Sequence, residues 1–298
     1  MRPQRTVRRP VRLEGVGLHR GEPARLVVDP APPGTGLVFV REDRDGFEIP
    51  ALQQHRSGMV HASRVAIGEV GIDTPEHLLA SLFALGVDNA RLLLWGPEVP
   101  ILDGSALPFA RALLEAGFTD QDPPAPRIVV TQPVVVEDEG RRLEAHPGEG
   151  LRLTAGIDFE HENLGYQELT VRIDSATDFL AKLAPARTFG MKRDVDRLQA
   201  MGLAKGGSLD NAILIDDAGV QGVPLRFPDE FVRHKLLDLV GDLALLGCGL
   251  SARVVAWRAG HSLHGRLVDA LLADPSSWIF EGAGDGPAAR PTPPGAVR

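Results

Sequence analysis

Hydrophobic and polar residues alternate along some stretches of the chain and recur at helical spacing along others. Alternation predicts strands near residues 5–13, 24–30, 36–41 and 90–95, and helical spacing predicts helices near 75–86 and 105–117. A second run of elements follows, with strands near 127–137, 141–146, 151–159, 167–173, 211–216 and 251–258, and helices near 176–183, 191–201, 228–247 and 261–273. Both halves run from strands to helices, which predicts an α+β fold with two packed layers.

A proline-rich, acidic segment at 119–126 separates the two runs, and we interpret it as an interdomain linker. This division predicts an N-terminal domain over residues 1–122 and a C-terminal domain over 127–280. Residues 281–298 are dominated by Gly, Ala, Pro and Arg without periodic apolar positions, which is typical of a disordered tail.

Length and charge narrow the class of protein. The 298 residues carry a net charge of -8, which argues against nucleic acid as a partner because phosphate binding is driven by a basic field. No apolar run approaches the roughly 18 residues of a membrane helix, and the basic N-terminus lacks the apolar run of a secretory signal. We therefore expect no membrane span, a cytoplasmic location and a monomer. The single cysteine, Cys248, cannot form an internal disulfide and lies in an apolar context that is typical of core.

The longest predicted helix carries a polar stripe. His234, Asp238 and Asp242 are spaced i, i+4 and i+8, so they share one face, while most other positions are apolar. Two interpretations stay open at this point. The stripe is either a solvated face of a surface helix, or His234 and Asp238 bind a divalent metal with Asp242 as a supporting partner.

The segment at 74–77 offers a third ligand. Thr74 reads as an N-cap and Pro75 as the first helical residue, which puts Glu76 and His77 in the first turn. Adjacent helical residues diverge by about 100°, so Glu76 cannot share a metal with His77 but can reach a water bound to it. Simple helix capping is the alternative interpretation.

Two histidines and one carboxylate leave an open coordination position, as in hydrolytic zinc sites, and the same set suits non-haem iron. His261 follows the strand at 251–258 and a glycine, where it can deliver a proton, and we interpret His264 as structural. An iron-dependent oxygenase is therefore the alternative to a hydrolase at such a site.

Taken together, the motifs resemble the UDP-3-O-acyl-N-acetylglucosamine deacetylases of lipid A biosynthesis over roughly residues 4–280. The motifs that carry the resemblance are GlyValGlyLeuHisArgGly at 15–21, ThrProGluHisLeuLeuAlaSerLeu at 74–82, GlyValAspAsn at 86–89, the Pro-rich run at 97–109, AlaArgThrPheGly at 186–190, GlyGlySerLeuAspAsnAlaIle at 206–213, the helix motif at 229–242 and GlyHisSerLeu at 260–263.

The resemblance implies a fold and an activity. The fold is two similar α+β domains, each a β-sheet layer with helices, whose helices pack between the two sheets in a β-α-α-β sandwich. The activity is a zinc-dependent hydrolysis that removes the N-acetyl group of UDP-3-O-acyl-N-acetylglucosamine as acetate, the committed step of lipid A biosynthesis. A catalytically silent sugar-nucleotide binder is the alternative function.

The resemblance also implies a role for each matching residue. The zinc ligands, which would also accept iron, are His77, His234 and Asp238. The catalytic residues are the general base Glu76, the general acid His261, its orienting carboxylate Asp242, the oxyanion-binding Thr188 and the charge-stabilising Lys235. The substrate-binding residues are Leu18, Phe189 against the sugar, Asp158 and Phe159 at the nucleotide, and Gly206 and Gly207 in an acyl passage built from residues 190–222.

Three departures from the family pattern bear on the site. Pro75 replaces a more usual aliphatic residue beside Glu76, and Arg141 stands where some members place a lysine near the diphosphate. The segment before residue 74 is also shorter than in relatives. The GlyXaaGly of motif 15–21 precedes another strand-like run, so it does not predict a dinucleotide site.

Overall fold

The computed structural model describes residues 1–58, 62–159 and 164–282. These residues form a mixed fold of helices and sheets, so the predicted α+β class is confirmed. The elements of the N-terminal half are β1 Pro3–Val7, β2 Val11–Val16, β3 Pro23–Pro30, β4 Leu37–Arg41, β5 Phe47–Pro50, β6 Arg56–Gly58, β7 Ser63–Ile67, β8 Val70–Asp73, α1 Glu76–Ala84, β9 Ala90–Trp95, α2 Leu107–Ala116 and β10 Phe118–Pro124.

The C-terminal half has the same mixed make-up with a longer sheet. Its elements are β11 Arg127–Val130, β12 Val134–Asp138, β13 Arg141–His146, β14 Leu151–Phe159, β15 Gly165–Ile173, α3 Ala176–Lys182, β16 Phe189–Met191, α4 Lys192–Ala200, β17 Ile213–Asp216, β18 Gly219–Gln221, α5 Glu230–Leu243, β19 Gly249–Trp257, α6 His261–Ala273 and β20 Trp278–Glu281.

Each half has one principal sheet. Five strands in the order β2-β3-β9-β4-β5 form the N-terminal sheet, and the C-terminal sheet runs β12-β13-β19-β11-β20 with β14 and β15 added through β19. Smaller sheets are β1-β10, β6-β7-β8 and β16-β17-β18. The last of these, with α4, is an insert between the C-terminal sheet and α5.

The helices of the two halves pack against one another. Helix α1 packs against α2 and α5, α5 packs against α6, α2 contacts β2, and α5 and α6 cover the C-terminal sheet. The inward side chains of both sheets and the apolar faces of these helices form one continuous core, which includes Phe39, Leu92 and Leu153.

Helices α1 and α5 cross at a glycine. A Cβ added to Gly241 would overlap the carbonyl oxygen of Glu76, so no larger residue fits without moving a helix. Leu237 and Val240 on α5 and Leu78 on α1 are fully buried. The first turn of α1 therefore lies directly against α5, with Glu76 next to Gly241 near the C-terminal end of that helix.

Several observed elements differ from the predicted ones. The strand predicted over 5–13 is two strands, β1 and β2, separated by Arg8–Pro10, where Pro10 has no amide to donate. No alternation predicts β5 to β8, because each has only three to five residues. Most of the segment predicted as a linker is strand β10, which pairs antiparallel with β1. The division into domains at 1–122 and 127–280 stays a prediction.

Two further predictions concern the C-terminal part of the chain. Glu281 belongs to β20 and pairs with Arg127, whereas residues 283–298 of the predicted tail lie outside the described residues. Cys248 is buried, as predicted, and burial raises the pKa of its thiol to about 12. Within the described residues, no helix is long and apolar enough to cross a membrane.

A buried ion pair fixes the start of α5. Glu230 is fully buried and accepts hydrogen bonds from the Arg187 backbone amide at 3.0 Å and from Arg187 Nε at 2.8 Å. The Arg226 amide also donates to it, at 2.5 Å. Since Arg187 directly precedes Thr188, the pair connects α5 with the strand that enters the insert.

Substitution Glu230→Ala tests this pair. It leaves the buried Arg187 guanidinium without its counter-charge, and breaking a buried pair in this way typically costs about 3–5 kcal/mol. We expect the free energy of unfolding, measured by urea titration, to fall by about 3 kcal/mol. Glu115→Ala, on the exposed face of α2, should change it by less than about 0.5 kcal/mol. Equal stability of the two variants would contradict a stabilising role for the pair.

Candidate metal centre and active site

The first turn of α1 directs Glu76 and His77 toward α5. Both side chains are buried. Thr74 does not cap the helix, so that prediction is wrong: its backbone is left-handed, with φ 56°, and its hydroxyl donates to Glu98 Oε1 at 2.9 Å. Glu98 lies on the loop between β9 and α2, and this long-range contact replaces the local cap.

The polar stripe on α5 lies on one face, as its spacing predicts, but it does not face solvent. His234, Asp238 and Asp242 are 3%, 2% and 1% exposed. The interpretation as a solvated stripe is therefore wrong. One end of the stripe meets the first turn of α1, and the other end meets the start of α6.

His77, His234 and Asp238 form a compact cluster whose donor atoms lie within 4.8 Å of one another. The Nε2 atoms of the two histidines are 3.0 Å apart, and His77 Nε2 lies 3.7 Å from Asp238 Oδ1. The cluster joins α1 of one half to α5 of the other. The structure thus brings together the three predicted ligands.

The chemistry of this cluster fits a metal ion. Asp238 Oδ1 is buried and accepts no hydrogen bond within the described part of the chain, a costly arrangement that a cation would relieve. Burial lowers the pKa of His234 to about 3, which keeps its imidazole in the neutral form that binds metals. Burial opposes ionisation of Asp238, but neighbouring cationic groups, the Lys235 ammonium among them, hold the pKa of this carboxyl well below its usual range.

Glu76 and His261 lie beside the cluster and face each other. His261 Nε2 is 3.9 Å from Glu76 Oε1 and 3.8 Å from Asp238 Oδ2. Burial raises the pKa of Glu76 to about 7. Burial also lowers the pKa of His261, but the adjacent Asp242 carboxylate outweighs this effect and raises the pKa to about 9. Burial thus shifts the Glu76 carboxyl group toward its neutral form, whereas the His261 imidazole favours its charged form.

Asp242 organises the His261 side of the site. Its Oδ2 accepts hydrogen bonds from His261 Nδ1 and His264 Nδ1, both at 2.7 Å, and its Oδ1 accepts one from the Ser63 hydroxyl. Asp242 therefore supports His261, as the family resemblance implies.

The sequence does not predict that His264 and Ser63 contact Asp242. The sequence predicts only a structural role for His264, although its place one turn after His261 on the same helix is a usable signal for a shared partner. Ser63 carries no such signal. It reaches Asp242 from β7, 179 positions away in sequence, and only the packing of the two halves makes this contact.

A cavity of about 290 Å³ opens over the cluster. The side chains of Thr188, Lys235 and Arg141 line it together with the cluster itself. Lys235 Nζ donates to Asp238 Oδ2 at 2.9 Å, and Arg141 Nη2 donates to Asp138 Oδ2 at 2.6 Å. All five predicted catalytic residues are thus near the cluster, with Asp242 behind His261.

A second, apolar cavity of about 420 Å³ adjoins the first. It is lined by Leu18, Phe159, Phe189, Gly207 and residues of the insert around α4. The rings of Phe159 and Phe189 meet edge to face at 5.9 Å. Part of its lining comes from residues 190–222, where the family resemblance predicts an acyl passage.

Two predicted substrate-binding residues are not among the side chains that line these cavities. Asp158 is exposed near the end of β14. Gly206 faces another loop, because a Cβ on it would overlap the carbonyl oxygen of Gly17. Its small size serves the packing of loop against loop, while Gly207 borders the apolar cavity.

An α+β fold that presents two histidines, an aspartate, an adjacent glutamate and a histidine–aspartate pair in one pocket defines the class of metal-dependent hydrolases. The family model described as UDP-3-O-acyl N-acetylglycosamine deacetylase matches residues 4–273. The chain belongs to this family, and the family implies a catalytic metal.

Curated relatives cover nearly the whole chain. A protein of Myxococcus xanthus (strain DK1622) is 42% identical over 277 residues, which span 92% of this chain and 88% of the relative. One of Anaeromyxobacter sp. (strain Fw109-5) is 44% identical over 273 residues, spanning 91% and 89%. One of Pseudomonas entomophila (strain L48) is 41% identical over 300 residues, spanning 99% of each. All three are named UDP-3-O-acyl-N-acetylglucosamine deacetylase.

Metal content tests the proposed ligands. His234→Ala removes one of the three proposed donors. We expect the purified variant to hold less than about a tenth of the wild-type metal, because each protein ligand contributes several kcal/mol to the binding of a metal ion. The measurement is the metal-to-protein ratio after dialysis against buffer without metal.

Glu76→Gln is the matched control, because Glu76 is equally buried but is not part of the three-residue cluster. It should keep its metal. A His234→Ala protein with full metal occupancy would contradict the ligand assignment.

Proposed function

We propose that this protein hydrolyses the N-acetyl group of UDP-3-O-acyl-N-acetylglucosamine, giving UDP-3-O-acyl-glucosamine and acetate for lipid A biosynthesis, with zinc as its metal. One observation carries the proposal: Glu76 and His261 face each other at the open side of the His77, His234 and Asp238 cluster. The names of the relatives identify the substrate class that such a site would act on.

His77, His234 and Asp238 would hold the metal through two nitrogens and one oxygen, the donor set of many open catalytic zinc sites. Iron is the alternative occupant, because the same donors accept it. When bound, the metal would acidify a water molecule and polarise the amide carbonyl.

Glu76 is the proton acceptor of the proposed reaction. Its pKa of about 7, raised by burial, leaves a substantial ionised fraction at neutral pH. Its Oε2 is buried and has no hydrogen-bond partner within the described residues, so this oxygen is available to the attacking water. Glu76 therefore takes a proton from that water as the carbon–oxygen bond forms.

His261 is the proton donor. Asp242 accepts the hydrogen bond of Nδ1, which orients the ring so that Nε2 faces the cavity. The raised pKa of His261 keeps the ring charged near neutrality. It can then give the Nε2 proton to the amine nitrogen as the carbon–nitrogen bond breaks.

Thr188 and Lys235 would stabilise the negative charge that develops on the carbonyl oxygen. The Thr188 backbone is held on both sides, since its amide donates to the Gly104 carbonyl and its carbonyl accepts from the Ile213 amide, each at 2.8 Å. Asp238 accepts from Lys235 and so directs the ammonium group over the cluster. Such fixed donors stabilise charge without reorganising during the reaction.

The two adjoining cavities fit the two parts of the proposed substrate. Phe189 lies between them and would pack against the sugar, while Phe159, Gly207 and the insert would enclose the acyl chain. Arg141 would meet the diphosphate, with Leu18 at the junction of the cavities. The contacts of Asp158 and Gly206 with substrate, the cytoplasmic location and the monomeric state stay predictions.

Acetate release from the UDP-linked acylated sugar tests the function. We expect wild-type protein to release acetate, a chelator to abolish the release and added zinc to restore it. Glu76→Gln and His261→Ala should each lower kcat at least about 100-fold, because a positioned acid or base contributes about 10²–10⁴-fold.

Both variants should retain metal, which separates loss of proton transfer from loss of the site. Full activity in either variant would contradict the assigned roles. Turnover that requires oxygen and iron would identify the site as that of an oxygenase.

A further inference from the structure

We propose that Glu98 is a positioning residue for the acyl chain: it fixes loop 17–21, which forms part of the wall shared by the two cavities, relative to the catalytic helix α1. The proposal rests on the proposed function. Glu98 belongs to the motif at 97–109 and does not line either cavity.

Glu98 joins the loop to the residue that leads into α1. It is 2% exposed. Its Oε1 accepts from the His19 amide at 2.8 Å and from the Thr74 hydroxyl at 2.9 Å, and its Oε2 accepts from the Arg20 amide at 2.9 Å. Thr74 precedes Glu76 by two residues. One buried carboxylate therefore holds both the loop and the entry to the catalytic helix.

The insert that borders the apolar cavity holds the other side of the same loop. The Lys205 amide donates to the His19 carbonyl at 3.1 Å, and the Gly206 amide donates to the Leu18 carbonyl at 3.0 Å. Gly17 has no room for a side chain because a Cβ would overlap the Glu98 carboxylate. Loop 17–21 is thus packed between Glu98 and the insert, and each side leaves little freedom to shift.

The loop forms part of the wall that the two cavities share, together with Thr188, Phe189 and Lys235. Leu18 and His19 line both the cavity over the metal cluster and the apolar cavity. The crossing at Gly241 holds α1 against α5 by a contact separate from the hydrogen bonds of Glu98. Glu98 therefore determines where an acyl chain lies relative to the reacting groups on these helices. A displacement of about 1 Å between bound substrate and catalytic groups can cost about 100-fold in rate.

Glu98→Gln tests the proposal with two substrates, UDP-3-O-acyl-N-acetylglucosamine and UDP-N-acetylglucosamine. All three partners of Glu98 donate, so the amide NH₂ of Gln must face a donor and break at least one contact. We expect kcat/KM for the acylated sugar to fall about 100-fold, mainly in kcat, and hydrolysis of the unacylated sugar to change less than about threefold.

The matched control is Glu22→Gln, an exposed glutamate one residue beyond the loop, which should behave as wild type with both substrates. Thr74→Val replaces the hydroxyl with a methyl group and should reproduce part of the selective loss, whereas Thr74→Ser keeps the hydroxyl and should retain activity. If circular dichroism shows that Glu98→Gln does not fold, the comparison of Thr74→Val with Thr74→Ser tests the positioning role of Glu98 in its place.

Equal losses with both substrates would overturn the proposal, because they would mean that Glu98 supports the site in general. Unchanged activity with the acylated sugar would overturn it as well. Wild-type protein that releases acetate from neither substrate would instead refute the proposed function, so the two failures are distinguishable.

Discussion

The site depends on the close contact between α1 and α5 at Gly241. Because no side chain separates the helices there, the first turn of α1 reaches the buried stripe of α5, and His77 meets His234 across the boundary between the two halves. The fully buried leucine and valine side chains around the crossing hold this contact. A bulkier residue would part the helices and separate ligands that no local structure holds together.

Burial at this crossing also produces the electrostatics of the site. Removed from water, a carboxyl group without a donor favours its neutral form, whereas a histidine beside an ionised aspartate favours its charged form. Glu76 and His261 illustrate the two cases. The same low-polarity surroundings thus hold a base, Glu76, beside an acid, His261. His261 stays charged despite its burial because its ring nitrogen donates a hydrogen bond to Asp242.

Features with a local origin could be predicted from the sequence. The stripe on α5 follows from helical spacing, and the position of His261 follows from a strand, a glycine and a helix in succession. The contacts of Ser63 and Glu98 could not be predicted, because they join residues from different elements and depend on how loops pack. Strands β5 to β8 are too short to show a period. Thr74 had the chemistry of an N-cap, but a tertiary hydrogen bond to Glu98 prevailed over that local preference.

The metal cluster has a consequence for how the chain folds. His77 and His234 are 157 positions apart, so the complete set of proposed ligands comes together only after the two halves have docked. An ion that binds this set adds its binding free energy to the docked state and to no earlier one. The affinity for the metal therefore depends on how firmly the two halves dock. Substitutions at the helix crossing would weaken metal binding without altering any proposed ligand. A metal ion bound there would therefore stabilise the docked state of the two halves as well as take part in the reaction.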